Sequence, residues 1–436
     1  MPSPAIDRRS FLQLVAAATA ASSLPATLAL VADETTPVSK SAAEIPVVGI
    51  MGVNGRGSAL AKAFMTAGAQ VGYIADVDER AAAKGLELVK GQQQLAPTIT
   101  DDFRRILDDK AIDILVVAAP NHWHAPAAIA GCNAGKHVYV EKPCSHNPHE
   151  GELAVAAARK AGRIVAMGSQ RRSWTAIQEA IGKIHAGEIG PVHYARAWYN
   201  NRRPNIGHGV VETPPSWLNW KLWQGPAPER PFKNNLVHYN WHWHWHYGNG
   251  ELGNNGVHAL DVARWGLGVD FPIEVTSGGG KYRHDDDQET PDTHLVTFNF
   301  PQKKTVSWEG LSWSPLGSMA NQFGVSFHGE EGSIVIVDAG YKVFDLKNKE
   351  IGAVAGEGGD VSHVVNFLKC TKSLELPPAD ILDGHKSTLL CHLGNIAHRV
   401  KRVLTTSEKD GSIVGDEKAA ALWKREYREG MEPKVG

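Results

Sequence analysis

Residues 118–143 read AAPNHWHAPAAIAGCNAGKHVYVEKP and join two apolar runs through a helical pattern. The first run, 114–119, leads into a polar loop at 121–124, and the second run ends at 141–143. Short apolar runs bounded by turn residues indicate buried strands, so this stretch predicts a strand–helix–strand unit. Open parallel sheets bind ligands beyond the carboxyl ends of their strands. Both polar segments are therefore expected at one crevice.

Lys142 is the residue of this stretch that most clearly suggests chemistry. It lies between a buried strand and Pro143, whose ring fixes its own φ and restricts the residue before it. A lysine held in this way can orient a hydroxyl group of a ligand and help to move its proton. The alternative interpretation is a solvated surface lysine.

A glycine-rich turn precedes this stretch. An apolar strand at 45–50 is followed at once by GVNGRG at 52–57 and by a helical pattern at 59–67. This order is the context of a dinucleotide-binding motif, in which glycines let the backbone approach a pyrophosphate. Asn54 replaces the usual second glycine, but asparagine tolerates unusual backbone angles. The predicted cofactor-binding residues of the turn are Gly52, Asn54, Gly55, Arg56 and Gly57.

Asp76 ends the next apolar strand, about twenty residues beyond the turn. An acid at this place accepts a hydrogen bond from the ribose 2′-hydroxyl of NAD and disfavours the 2′-phosphate of NADP. The alternative role of Asp76 is that of a helix N-cap. Arg80 could still admit NADP. We expect NAD as the cofactor, with NADP less favoured.

The order of these motifs resembles that of the Gfo/Idh/MocA oxidoreductase family. In that family a Glu-Lys-Pro motif follows such a β-α-β stretch, and its lysine contacts substrate and nicotinamide, a role that falls here on Lys142. The loop after the preceding strand also matches, and Arg56 resembles the arginine of a family variant that could reach a phosphate. The resemblance thus implies cofactor contacts by Pro120, Asn121, His124, Glu141 and Lys142.

A second glycine-rich loop, within residues 248–268, leads into a helix that starts near Val257. The family has an Asp, three residues and then a His here, and the resemblance makes His258 the general acid/base. Asn254 replaces the family's Asp, so it cannot act as a base and is interpreted as a substrate contact. Asp261, one turn later, is expected to tune His258. The alternative role of His258 is that of a capping histidine.

Two aromatic segments suggest the substrate. Residues 200–235 form an insertion rich in Pro, Asn, Gly and Trp. Aromatic rings pack on the flat C–H faces of sugars, so the insertion suggests a carbohydrate site; a hydrophobic latch is the alternative. We expect the end of the second segment, His246 and Tyr247, to form a wall of that site, joined by Arg171 after an earlier strand.

The second segment, 240–247, reads NWHWHWHY. In a strand its three histidines would share one face, which suggests a metal site. However, alternate residues of a strand lie far apart for one tetrahedral ion, and the run contains no carboxylate. We therefore assign no metal.

The predicted fold is α/β. Residues 45–169 are expected to form an N-terminal Rossmann-type dinucleotide-binding domain, in which 86–107 is helical. Short β patterns from residue 274 onward indicate that 170–436 form an α+β domain with a large, mostly antiparallel open sheet. The family resemblance adds a homo-oligomer.

Residues 1–44 are assigned to an export signal and a linker. The sequence DRRSFL at 7–12 precedes a mildly apolar run, which resembles a twin-arginine signal. A short membrane anchor is the alternative. Export by this route predicts a periplasmic protein with no stable membrane span after signal removal. Its cofactor should be tightly bound, because free nicotinamide nucleotide is expected to be scarce there.

We expect an oxidoreductase that transfers hydride between a sugar or glycoside hydroxyl and NAD, with Lys142 and His258 handling the proton. The near-zero net charge of -2 gives no indication of a nucleic-acid partner. A second hypothesis is a redox-neutral, NAD-dependent glycoside hydrolase or lyase that oxidises its sugar only transiently. A third is a non-catalytic sugar-binding protein of the same fold, which the replacement at Asn254 keeps open.

Overall fold

A computed structural model describes residues 45–436, so the predicted export signal and linker at 1–44 lie outside the described residues. Six parallel strands form the first sheet: β1 (Val47–Met51), β2 (Gln70–Ala75), β3 (Thr98–Thr100), β4 (Ile114–Val117), β5 (His137–Val140) and β6 (Val165–Met167). Their spatial order is β3-β2-β1-β4-β5-β6. The winding reverses between β1 and β4, which opens a crevice beyond their carboxyl ends. The Rossmann-type prediction is confirmed.

Helices cover this sheet, as a parallel sheet requires. Strand β4 reads ILVV, and all four residues are buried. The polar segment at 121–124, predicted as a loop, is instead the first turn of a helix, with Pro120 as its N-cap residue. The helices are α1 (Arg56–Thr66), α2 (Glu79–Val89), α3 (Arg104–Asp108), α4 (Asn121–Asn133) and α5 (Pro148–Ala161).

Ten strands form the second sheet: β7 (Val192–Asn200), β8 (Glu274–Gly280), β9 (Thr293–Phe300), β10 (Lys304–Leu311), β11 (Phe323–Gly329), β12 (Ser333–Val337), β13 (Gly340–Phe344), β14 (Glu350–Val354), β15 (Leu404–Thr406) and β16 (Ile413–Val414). Their order is β14-β13-β12-β11-β7-β10-β9-β8-β15-β16. Strands β7 and β10 pair in parallel, whereas their other neighbours pair antiparallel. The prediction of a large, mostly antiparallel sheet is confirmed.

Helices of the second half pack on one face of this sheet. Phe298 and Phe327 of the sheet are completely buried, as is Leu260 of the facing helix. Each such side chain contributes about 1.5–3 kcal/mol to folding. A π-helical turn, Leu252–Gly256, leads directly into α8. The helices are α6 (Thr175–His185), α7 (Trp220–Gln224), α8 (Val257–Leu267), α9 (Val361–Ser373), α10 (Ile381–Val400) and α11 (Glu417–Ala420).

The structure differs from two local interpretations: a helix predicted at 86–107, and the strand considered for 240–247 when a metal site was weighed. Residues 86–107 are not one helix, because α2 ends before Gly91, which has a φ of 74°, and Pro97 leads into β3. Residues 240–247 are not a strand but begin with a 3₁₀ turn, Asn240–Trp243. The rings of the neighbouring residues Trp241 and His242 stack with their centroids 3.6 Å apart. Successive side chains of a strand point to opposite faces, so this stacking is incompatible with a strand.

Among residues 45–436, no helix combines the length and the apolar character that crossing a membrane requires.

Candidate active site

The glycine-rich turn between β1 and α1 has a backbone that can receive a phosphate. Gly52 and Gly55 have φ values of 83° and 82°, a region that favours glycine. A Cβ atom at Gly57 would lie 1.7 Å from the carbonyl oxygen of Gly52. Asn54 does not take a positive φ, because Gly55 supplies that conformation. The turn therefore keeps its shape without the usual second glycine, and it leads into the N-terminus of α1.

Asp76 lies just beyond β2 and holds this turn. Its carboxylate accepts hydrogen bonds from the backbone N–H groups of Val53 at 2.7 Å and Asp78 at 3.0 Å. The N-cap residue of α2 is Asp78, so the alternative capping role does not belong to Asp76. Burial raises the pKa of Asp76. The residue lines the main cavity, which is the place predicted for a ribose contact.

Arg80 is already engaged by its own helix. Its Nε and a terminal nitrogen donate to the carboxylate of Asp78 at 3.0 and 2.9 Å. Its guanidinium also lies 3.3 Å from the ring centroid of Trp217. A 2′-phosphate would have to compete with Asp78 for this arginine, which favours NAD over NADP.

Arg56 links three elements around the turn. It donates to Glu141 at 2.6 Å and to both carboxylate oxygens of Asp360 at 2.7 and 2.8 Å. These bonds join α1 to the end of β5 and to the start of α9. Three of its five N–H groups are used in this way. Contact between a phosphate and the two remaining N–H groups of Arg56 remains a prediction.

Lys142, next to Glu141, is anchored by the second half of the chain. Its Nζ donates to the backbone oxygen of Asn254 at 2.7 Å and to the side-chain oxygen of the same residue at 3.2 Å. Burial lowers the pKa of Lys142. These two bonds use two of the positions around Nζ, so a third position remains for a ligand: an N–H group when the amine is charged, or the lone pair when it is neutral.

His258 lies on the first turn of α8, and no residue within 45–436 forms a hydrogen bond with its ring. Burial lowers the pKa of His258 well below its ordinary value, and the charges of Lys142 and Arg171 act in the same direction. The imidazole is therefore neutral at physiological pH. The ring is not engaged as a cap, but His258 is not among the residues that line the main cavity, so its role as general acid/base remains a prediction.

Asp261 does not tune His258, contrary to expectation. Its carboxylate accepts hydrogen bonds from Nε of Arg172 at 2.8 Å and from the hydroxyl of Ser387 at 2.7 Å. A buried carboxylate needs such a partner, and Arg172 supplies it from the turn after β6. Asp261 therefore secures α8 against that turn.

The loops after β4 and β5 are tied together by His124. Its two ring nitrogens lie 2.6 Å from the carbonyl oxygen of Pro143 and 2.7 Å from that of Ala119. Asn121 donates to the side-chain oxygen of Asn249 at 3.1 Å. His124 thus fixes the backbone next to Lys142. Pro120, Asn121 and His124 all line the cavity.

The predicted wall residues His246 and Tyr247 do not line this cavity. The ring of His246 bonds to the carbonyl oxygen of Pro228 at 2.8 Å, and the Tyr247 hydroxyl donates to Gln224 at 3.2 Å. The rings of Tyr247 and Trp223 pack edge to face, 4.8 Å apart. Both residues pack against aromatic residues of the insertion and its surroundings, and a substrate contact by either remains a prediction.

Arg171 also lies outside the lining of the cavity. Its guanidinium stands 3.8 Å from the ring centroid of Phe323 and 4.8 Å from that of Trp174. Burial lowers the pKa of Arg171 to about 10. A direct substrate contact by Arg171 remains a prediction.

The same aromatic segment does supply cavity residues, but from its other end. Tyr239, Trp241 and His242 line the cavity. Nδ1 of His242 lies 2.6 Å from the carbonyl oxygen of Tyr239, and burial lowers the pKa of His242 to about 3. The run of aromatic and histidine residues was the sequence feature that could have revealed these cavity residues. We expected its C-terminal end, His246 and Tyr247, to form the wall, whereas its N-terminal end lines the cavity. Within the described part of the chain, no group of three or more His, Cys, Asp or Glu residues could hold a metal ion.

The cavity measures about 1110 Å³, whereas ligand pockets commonly measure about 300–1,000 Å³. It has room for a dinucleotide together with a small substrate. Five parts of the chain form it: the strand ends of the first sheet, the insertion, the segment 238–242 that follows it, the π-helical turn and the last residues. Lining residues include Gly52, Asp76, Lys142, Leu222, Tyr239, His242, Asn254, Arg428 and Met431.

The insertion covers the edge at which Asp76 lies. Leu218 forms an isolated antiparallel bridge with Asp78. Asn219 donates its backbone N–H to Val77 at 2.8 Å and its side-chain amide to Asp101 at 2.9 Å. His238 pairs with the carboxylate of Asp78 at 2.8 Å.

The C-terminal residues run along α4. Pro126 has no N–H to donate within that helix, and the carbonyl oxygen of His122 accepts instead from Arg425 at 2.9 Å. Further along, Asn133 donates to the carbonyl oxygen of Lys434 at 2.8 Å. The tail therefore closes a second side of the cavity.

Comparison with known families gives two matches. Residues 47–169 match the description "Oxidoreductase family, NAD-binding Rossmann fold", and residues 177–335 match "GFO/IDH/MocA C-terminal domain". Together these segments span more than half of the chain.

Curated relatives match over shorter segments. Levoglucosan dehydrogenase of Pseudarthrobacter phenanthrenivorans is 28% identical over 169 residues, which is 39% of this chain and 36% of that protein. The NAD(+)-dependent scyllo-inositol 2-dehydrogenase of Bacillus subtilis is 32% identical over 96 residues, 22% of this chain and 28% of that protein. The matches thus span about a third of these relatives.

Solved structures match over most of the chain. Aldose-aldose oxidoreductase from Caulobacter crescentus, complexed with glycerol, has a TM-score of 0.65 at 20% identity, covering 83% of this chain and 100% of that one. A levoglucosan dehydrogenase complex with NADH and levoglucosan has a TM-score of 0.63 at 19% identity, covering 83% and 99%. At these identities the likeness shows the shared fold.

Proposed function

Because the chain belongs to the Gfo/Idh/MocA family of NAD-binding oxidoreductases, we propose that it transfers hydride between a sugar or glycoside hydroxyl carbon and NAD. The observation that carries this proposal is the setting of Lys142. Its amine is anchored by Asn254 and lies in the same cavity as the dinucleotide turn. The names of the relatives support a sugar or cyclic polyol as the substrate class.

Lys142 takes the hydroxyl proton of the substrate. Its lone pair remains free when both N–H groups bond to Asn254. When bound, the nicotinamide accepts or returns the hydride. In this proposal His258, which does not itself line the cavity, is a second group that can share the proton with Lys142. The Tyr239 and His242 side chains are placed to orient other hydroxyl groups of the sugar.

The cofactor is held tightly in this proposal. The insertion and the C-terminal tail enclose the cavity, so the dinucleotide would leave only after contacts such as His238–Asp78 break. A retained cofactor must be regenerated in place, either by a second sugar or within one catalytic cycle. The same enclosure therefore favours a second candidate, a redox-neutral glycoside hydrolase or lyase that consumes no cofactor.

Export and assembly complete the proposal. The sequence DRRSFL at 7–12 supports twin-arginine export to the periplasm, and the family resemblance supports a homo-oligomer. Fractionation of cells with and without the paired arginines replaced by lysines tests the first; light scattering tests the second.

The first experiment identifies nucleotide released from the denatured, purified protein. Stoichiometric NAD or NADH is expected, and failure to bind added NAD would contradict the proposal. Sugars and aryl glycosides are then screened while reduced nicotinamide and free aglycone are both followed. Accumulated reduced nicotinamide supports the oxidoreductase. Aglycone release without it supports the redox-neutral enzyme.

A further inference from the structure

Glu251 is a buried carboxylate that stands immediately before the π-helical turn and is only 4% exposed. It accepts two hydrogen bonds from Arg203, from Nε at 2.9 Å and from a terminal nitrogen at 3.1 Å. It also accepts from the side-chain amides of Asn254, at 3.4 Å, and Asn255. Four donors thus converge on one carboxylate beside the proposed active site.

These bonds belong to a chain that begins and ends in the cavity. Tyr239, which is 48% exposed, receives a hydrogen bond on its hydroxyl from Arg203 at 2.8 Å. Arg203 bonds to Glu251, Glu251 to Asn254, and Asn254 to the amine of Lys142. Because Asn254 donates on one side and accepts on the other, its amide has a single orientation in this chain.

The family resemblance puts an acid at the position of Asn254, and this chain has none there. We propose that Glu251 is a positioning residue for the reaction, which holds Asn254 and through it Lys142, and which supplies the carboxylate charge that Asn254 lacks. This inference rests on the proposed role of Lys142 as the proton acceptor.

The charges around Lys142 predict the direction in which its pKa should change when Glu251 loses its charge. Burial lowers the pKa of Lys142; Glu141 and Glu251 raise it, while Arg56 and Arg203 lower it. Removing the charge of Glu251 removes one raising effect while the lowering effect of Arg203 stays, so the pKa of Lys142 should fall further. Titratable groups that also face this amine are His124, His242 and His258.

The test is Glu251→Gln in the full chain with its bound cofactor, followed by single-turnover reduction with a sugar across pH. Since only the neutral amine accepts a proton, the acid limb of the rate profile should move down by about 1 pH unit. Glu330→Gln is the control, because Glu330 is an exposed carboxylate paired with His193 in the turn after β11. If the acid limb of the pH–rate profile lies at the same pH in Glu251→Gln as in the wild type, the inference is wrong.

Asn254→Asp keeps the test decisive if Glu251→Gln does not fold. It places a carboxylate directly on Lys142, so the acid limb should move to higher pH. A second readout does not need activity: acetylation of Lys142 by acetic anhydride across pH, measured by peptide mass spectrometry. If the wild type transfers no hydride, the proposed function fails. The acetylation profiles of wild type and Glu251→Gln then still decide the inference, and identical profiles would refute it.

Discussion

The amine of Lys142 donates to both the backbone oxygen and the side-chain oxygen of Asn254, at 2.7 and 3.2 Å. Lys142 is the second residue after the end of β5, whereas Asn254 lies in the π-helical turn before α8. The bond pair therefore joins the two halves of the fold at the cavity. It also leaves one direction of the amine open to a substrate hydroxyl.

Replacing Lys142 by Ala should remove the proton acceptor without removing the dinucleotide turn. We expect hydride transfer to fall by about 10²–10⁴-fold, the usual contribution of a positioned acid or base, while nucleotide stays bound. Stopped-flow absorbance of reduced nicotinamide and analysis of released nucleotide measure the two effects. Lys136→Ala is unsuitable as a control because Lys136 bonds buried carbonyls; exposed Lys90→Ala is the matched one. A wild-type rate in Lys142→Ala would refute the assignment.

Replacing Asp76 by Ala should weaken NAD and narrow its advantage over NADP. The substitution removes the predicted ribose acceptor and also the bonds to Val53 and Asp78 that hold the turn. Asp76→Asn separates the effects, because its amide oxygen can still accept one backbone N–H. Dissociation constants for both nucleotides, measured by calorimetry after removal of bound cofactor, provide the test. Unchanged NAD and NADP constants in both variants would make Asp76 irrelevant to cofactor choice.

Replacing His238 by Ala should speed cofactor release. The substitution breaks the 2.8 Å contact between the segment that follows the insertion and Asp78, next to the predicted ribose site. A tenfold faster release would correspond to about 1.4 kcal/mol, within the range expected for a partly buried pair. Displacement of bound NAD by an excess of labelled NAD gives the rate. His193→Ala, which breaks an exposed histidine–carboxylate pair, should release NAD at the wild-type rate.

Stability should fall as the pH falls from about 6.5 toward 4, because several buried histidines are neutral in the folded protein. Burial lowers the pKa of His392 to about 3 and that of His385 to about 4. In the unfolded chain the pKa of both histidines returns to about 6.5. Between about pH 6.5 and 4 the unfolded chain therefore binds more protons than the folded protein, and acid favours unfolding.

His392→Asn should flatten this pH dependence. One proton fewer is taken up on unfolding, which reduces the slope of the unfolding free energy by about 1.4 kcal/mol per pH unit. Urea unfolding at about pH 7 and about pH 5 measures it. Equal slopes in the wild type and in His392→Asn would contradict the explanation.

Local sequence patterns predicted the parts of the site that local chemistry determines. Gly52, Gly55 and Gly57 were found because a strand, a sharp turn and a helix must follow one another within a few residues. Lys142 was found because a strand end and a proline confine it. The parallel and antiparallel sheets followed from the same kind of pattern, and both are confirmed.

Contacts between distant segments were missed or misassigned. Glu251 has no local signature, and its importance comes from Arg203 and Asn254. Asp261 is one turn from His258 along the helix, yet a buried carboxylate pairs with the nearest compensating charge, which is Arg172.

The sequence by itself determined the two sheets, the dinucleotide turn and the lysine at the strand end, because these depend on residue spacing and backbone preference. Only the tertiary structure decided which end of the aromatic segment faces the cavity, where the missing acid is replaced, and what encloses the cofactor. Those features depend on burial and charge pairing between segments that meet only after the chain has folded.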